Sequence, residues 1–151
     1  MKEHNIPKLR HLYWCADQLL SEALSRMDLT ASQGCAMGFI SHQTHPPVTR
    51  DLEQALHLSH ASAVGLLDRL EKKGFLTFEP DPKDLRCKRI YITPKGEACN
   101  THMHDAMDAI EQQLLRGFTE EEQEVFKTLI ERAICNMGGA HQHCHKEEFV
   151  K

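Results

Sequence analysis

Apolar residues recur at steps of three and four along most of this chain, the pattern of helices that each bury one face. Leu9, Leu12, Tyr13, Ala16, Leu19, Leu20, Ala23 and Leu24 predict a first helix over 8–27. Thr30 is suited to cap a second helix running to about Gln43. His45-Pro46-Pro47 then breaks the chain, because neither proline can donate to a helix ladder. A short third helix over 49–57 is expected behind a Thr49 cap. The turn His57-Leu58-Ser59 leads to a fourth over 60–73, with Ser59 as its cap and Gly74 as its stop.

The period then changes. Residues 75–79 and 89–93 are aromatic and β-branched and predict two strands. The stretch 80–88 between them holds two prolines and several charges, and reads as the exposed tip of a hairpin. A long helix follows Thr93-Pro94-Lys95-Gly96 to about Arg116. A last helix opens at the capping-box pattern Thr119-x-x-Glu122 and ends at Gly138-Gly139.

The expected fold is therefore mainly α with one small β-hairpin (α+β): a winged helix-turn-helix lobe at 29–94, flanked by long helices at 8–28 and 95–138. Together these make a single domain over 1–138, with a polar, mobile tail at 139–151. The length of 151 residues suits one domain with a real core.

The fourth predicted helix separates its faces. Ala63, Leu66, Leu67 and Leu70 form one apolar stripe, while Ser62, Gly65 and Arg69 fall on another line, with His60 and Ala61 at the exposed N-terminal end. A helix of this kind can enter the major groove of duplex DNA, and a hairpin beside it can reach the backbone or the minor groove. Charge supports this. Between Asp68 and Lys95 there are eight basic and five acidic residues, a local +3 inside a chain of −4. The plainer alternative is a winged-helix module that binds only protein.

The order and spacing of several motifs carry a resemblance. Leu29-Thr30-x-x-Gln33 opens the second helix. Ser59-x-x-Ser62 leads into Asp68-Arg69-Leu70-Glu71-Lys72-Lys73-Gly74-Phe75-Leu76. Asp81-Pro82-x-Asp84-x-Arg86 and Ile92-Thr93-Pro94-Lys95-Gly96 follow. Together they resemble the multiple-antibiotic-resistance regulator (MarR) family over about residues 29–97. The resemblance implies a homodimeric DNA-binding regulator, a repressor, held together by the N- and C-terminal helices. Each subunit would place one helix, supplied by Ser59 to Arg69, in half of a pseudo-palindromic operator. Arg86 would be the wing arginine, oriented by Asp84. A narrow groove of enhanced negative potential favours such an arginine.

Base contacts are expected from His60, Ser62 and Arg69, and phosphate contacts from Lys83, Lys88 and Arg89. Arg69 has a second reading, a pair with a neighbouring acidic residue that braces the lobe. Two positions depart from the family's habit: Gly65 stands where relatives often carry a basic residue, and Val64 where they often carry a hydroxyl. A glycine there offers no contact and costs about 1 kcal/mol of helix stability against alanine.

Family members are commonly relieved by a small ligand, a metal or thiol oxidation, and the sequence leaves all three open. Six cysteines and eleven histidines invite zinc or another divalent metal. His11 with Cys15, and Cys99 with His102, are ligand-spaced pairs on helices. His42, His45, His104 and the tail residues His141, His143, Cys144 and His145 add donors. A solvated helix face is the plainer reading of each pair. Cys15 is also a redox candidate, with His11 one turn away, against an inert buried thiol. Trp14, Met37 and Phe39 would line the space of a small organic effector, or else belong to the core.

An enzyme is the reading from another class. A Cys/His hydrolase needs a pairing that no sequence shows, and no nucleophile elbow, phosphate loop or metalloprotease helix is present. No catalytic residue is therefore nominated. With no apolar run near the ~20 residues of a membrane helix, and no signal-peptide core at Met1-Lys2-Glu3-His4-Asn5, the expected location is the cytoplasm, without membrane partners.

Overall fold

The structure is a computed structural model that describes residues 3–138. The tail over 139–151, with its histidine cluster, lies outside the described residues. Element order is α1 (Asn5–Arg26), α2 (Ala31–Ser41), α3 (Thr49–Leu56), α4 (His60–Lys72), β1 (Leu76–Asp81), β2 (Asp84–Ile92), α5 (Pro94–Leu114) and α6 (Glu120–Asn136). Six helices and a two-stranded antiparallel hairpin match the expected class. The chain forms two compact units, one reaching to Glu111 and one from Gln112 on. The division falls inside α5.

The core of the first unit is built from the periodic positions. Leu24, Leu29, Ala36, Met37, Ile40, Leu52, Ala63, Leu66, Leu67, Leu70, Phe75, Leu76, Ile90 and Cys99 are buried together. All four stripe positions of α4 (Ala63, Leu66, Leu67 and Leu70) are among them, so its other face is left to solvent. Met37 is core and Phe39 packs against it, whereas Trp14 is exposed.

Caps explain most helix starts. The Thr30 hydroxyl accepts from the Gln33 N–H while the Gln33 side chain accepts from the Thr30 N–H. Thr119 and Glu122 repeat the arrangement at α6. At α3 the expected Thr49 cap is corrected by one residue. Val48 precedes the helix, and the Asp51 carboxylate takes its otherwise unsatisfied N–H at 2.9 Å. His57 ends α3 in the left-handed region at φ 52°, turning the chain sharply toward α4.

The hairpin corrects the sequence reading most. The expected loop over 80–88 is largely strand, and only Pro82 and Lys83 turn. Pairing runs regularly from Leu76↔Ile92 to Pro80↔Lys88, then jumps to Asp81↔Asp84. The jump leaves Leu85, Arg86 and Cys87 on β2 without partners on β1. Pro47 and Val48 add an edge contact on the other side of β2: Ile90 N–H donates to Pro47 O at 2.8 Å, and Val48 bridges Arg89. The proline break therefore also supplies a rudimentary third strand.

The Thr-Pro-Lys-Gly motif is structural. Thr93 Oγ1 donates to Gly74 O and accepts from Gly96 N–H. Lys95 Nζ donates to Lys73 O and lies 4.8 Å from the Phe75 ring centroid. Lys73 in turn reaches Asp28 O and Gln33 Oε1. The basic residues of this stretch join the end of α4 to the α1–α2 turn and to the start of α5.

Candidate nucleic-acid interface

Helices α3 and α4 meet at the turn over 57–59, and the hairpin rises beside them. Ser59 Oγ accepts from the Ser62 N–H and donates to Ser62 Oγ, so both hydroxyls help to start α4. His60, Ala61 and Ser62 are exposed there. His60 Nδ1 lies 2.5 Å from Glu53 Oε1, which ties the first turn of α4 to α3.

Arg69 is exposed, and its Nε–H donates to Gly65 O at 3.0 Å. The bracing partner expected for Arg69 was acidic; the structure puts the Gly65 carbonyl there instead. Gly65 thus has a local use. A Cβ at that position would stand 3.3 Å from the Arg69 guanidinium, so glycine leaves room for the side chain to fold back.

On the hairpin, Lys83 and Lys88 are exposed and Asp84 is half-buried. Arg86 has 92% of its side chain exposed, yet it is oriented. Asp84 Oδ1 accepts from both its Nε–H and its backbone N–H at 3.1 Å. Arg89 differs from the expectation of a phosphate contact. Its side chain is three-quarters buried, pairs with Asp81 at 3.0 Å, and donates to Pro46 O at 3.1 Å. These contacts pin the hairpin to the proline segment and leave the guanidinium little to offer a ligand.

A cleft of about 560 Å³ separates α3 and α4 from the hairpin. Arg50, His60, Val64, Arg86 and Lys88 are among its walls. Arg50, exposed in the first turn of α3, was not nominated from sequence, because only the fold brings α3 beside the hairpin.

The Asp81 and Asp84 carboxyls of the hairpin are held below the usual aspartate value of 3.8. For Asp81 the first cause is the Lys83 backbone N–H that it accepts, followed by the Arg89 guanidinium. For Asp84 the first cause is the Arg86 side chain, then the Arg86 backbone N–H. A carboxyl depressed in the fold stabilises it above the unfolded value and loses that contribution as pH falls through the folded one. Acidification below about pH 4 is therefore expected to loosen the hairpin. Chemical denaturation followed from pH 6 to pH 3 checks this: Asp81→Asn should flatten the acid limb, and an unchanged limb would refute the assignment.

The candidate sensor residues stay dispersed. His11 Nε2 and Cys15 Sγ are 3.8 Å apart, and the His11 ring stacks at 6.0 Å on Trp14. Cys99 is buried in the core while His102 is exposed, so they do not present a joint face; burial pushes the Cys99 thiol up, away from the thiolate a metal requires. His42 and His104 meet edge to face at 5.9 Å. Among the described residues, no three His, Cys, Asp or Glu side chains are grouped to hold a metal ion. Also among the described residues, no helix is long and apolar enough to cross a membrane.

The geometry has close counterparts among known proteins. The chain resembles the MepR–DNA complex of S. aureus with a TM-score of 0.74 and 25% identity, covering 89% of this chain and 99% of that one. A mutant of MepR bound to an oligodeoxyribonucleotide matches at TM-score 0.68 and 25% identity, over 90% and 99% of the two chains. Wild-type MarR of E. coli in its apo form matches at 0.73 and 25%, over 89% and 99%. A family model described as MarR family matches residues 27–86, the stretch from the end of α1 to the wing arginine. This match lies on the helix-turn-helix and wing just described: residues 27–86 match the MarR family model, and the chain has the fold of MarR-type winged-helix transcription regulators.

Proposed function

We propose that the protein is a homodimeric repressor that binds a pseudo-palindromic duplex operator and is released by a small effector. The observation that carries the DNA-binding part is the wing: Arg86, exposed but held in place by Asp84, stands across a cleft from the open end of α4, with Arg50 and Lys88 on the walls beside Glu53, Asp68 and Glu71. In this reading His60 and Ser62 face base edges, while Lys83, Lys88 and Arg50 meet phosphates. Arg89 braces the lobe through Asp81 and the Pro46 carbonyl, while Arg69 folds back on the Gly65 carbonyl of its own helix.

Apolar surface that each terminal helix leaves uncovered supports the dimer. Ile6, Leu9 and Tyr13 fall at i, i+3 and i+7 on α1, all exposed. Val125, Leu129 and Met137 are exposed along α6 and its end. A monomer rarely leaves apolar stripes of this extent open.

The test is selection of duplexes by the full chain from a random-sequence pool, then fluorescence anisotropy on the selected duplex at several salt concentrations. Sequence-selective, salt-sensitive binding by a species of twice the chain mass is expected. Parallel arms with zinc, chelator and peroxide read the effector class, and indifference to all three assigns it to an organic ligand. Failure to enrich any sequence would instead favour the protein-binding winged-helix module.

A further inference from the structure

The hairpin contains an excursion that its closure does not need. A two-residue turn at Pro82-Lys83 joins Asp81 to Asp84, yet regular pairing resumes only at Pro80↔Lys88. Leu85, Arg86 and Cys87 therefore bulge out of the ladder. Such irregularities re-aim side chains, often at functional edges. Asp84 holds the excursion from inside. Its Oδ1 accepts from both Arg86 N–H groups, and its Oδ2 lies 3.8 Å from the Cys87 thiol, which is half-buried. Arg86 and Cys87 are tethered to Asp84, and Leu85, 80% exposed, stands outward beside the exposed Arg86 side chain.

A lone exposed leucine is ordinary on a protein surface. This one is displayed by a bulge, between Lys83 and Arg86, on the element read above as meeting DNA. The surface that suits a branched apolar group beside an exposed arginine is itself mixed. A minor groove offers apolar deoxyribose edges between two rows of phosphates, and proteins that enter it use apolar side chains beside arginine.

We propose that Leu85 is a further DNA-contacting residue of the wing, packing on deoxyribose edges in the minor groove beside Arg86. The inference rests on the DNA-binding reading given under Proposed function. It adds a component of affinity that salt does not screen, because apolar burial releases no counterions.

The test uses the full chain and the duplex it selects from a random pool, with anisotropy titrations from low to high salt. Leu85→Ala is expected to bind about tenfold more weakly at every salt concentration, with the wild-type salt slope. Leu85→Lys should recover affinity at low salt, steepen the slope by about one per wing, and fall below wild type at high salt. Melting curves of both variants should overlay the wild type, since the side chain leaves no core contact. Leu85→Ala within twofold of wild type at all salts would overturn the contact, as would a loss made up wholly of a changed slope. Those outcomes leave wild-type binding intact. If the wild-type chain selects no duplex, the regulator reading fails, and the Leu85 contact fails with it.

Discussion

Arg86→Ala is expected to weaken binding to the selected duplex by about a hundredfold while leaving the melting temperature unchanged. The guanidinium makes no contact that the fold requires: its side chain is almost wholly exposed, and its partner Asp84 also holds the Arg86 backbone N–H. Removing it therefore touches stability by no more than about 0.5 kcal/mol. Its loss from the DNA complex is larger. An arginine in a narrow minor groove combines a charge-assisted contact with shape recognition. At about 1–3 kcal/mol per well-placed arginine, and with one wing on each half-site, a hundredfold effect takes about 1.4 kcal/mol from each wing, in the lower half of that range. The salt slope should fall by about two, one counterion per wing. Asp84→Ala should cost less affinity, because the arginine remains but is no longer held. Anisotropy on the same duplex measures all of these; binding by Arg86→Ala equal to wild type would remove the wing from the interface. Arg89→Ala is a poor companion variant, since it breaks the Asp81 and Pro46 contacts and is expected to lower stability first.

The second large effect concerns the fold. Gly96→Ala should destabilise the protein by about 3 kcal/mol, the upper end of what forced overpacking ordinarily costs. In a chain of this length that corresponds to a melting temperature lower by about 10 °C. A Cβ at this position would lie 2.3 Å from Phe75 O and 2.6 Å from Ile92 Cγ2. The carbonyl cannot turn aside without losing the Thr93 N–H that it accepts at 3.0 Å. Relief requires α5 to move away from the hairpin, which breaks the Thr93 and Lys95 contacts that seat it. Gly38→Ala is the control. Nothing lies within 4 Å of its added Cβ. Replacing that helical glycine should raise stability by up to about 1 kcal/mol. Paired thermal melts check both, and a Gly96→Ala melt at the wild-type temperature would refute the close-approach argument.

The contrast between these two residues shows what was legible beforehand. Arg86 and Gly96 were both singled out in the sequence, as members of motifs. Their reasons differ. Arg86 is set by contacts within its own tip, two residues from Asp84, so a local motif suffices to place it. Gly96 is forced by Phe75 O, a backbone atom that reaches it only because the hairpin folds between them. The α4 stripe of Ala63, Leu66, Leu67 and Leu70 was fully readable, because helical period alone decides which face is apolar, and all four are buried. The hairpin tip was not. Prolines at 80 and 82 suggested a long loop, but Pro80 lies in a strand opposite Lys88, where a missing N–H is tolerated at the edge of an irregular ladder.

The sequence by itself thus determined the helices, the caps at Thr30, Ser59 and Thr119, the existence of the wing and the local excess of positive charge. Each depends on residues a few positions apart, and such interactions survive translation into pattern. Tertiary structure decided which cations remain available. Arg89 and Arg86 look alike in the chain, three positions apart. One is captured by Asp81 across the hairpin and by a carbonyl 43 residues away, while the other is held by its neighbour and turned outward. Composition counts both as charge. Only the fold, by placing acceptors around one of them and leaving the other facing solvent, distinguishes a brace from a contact.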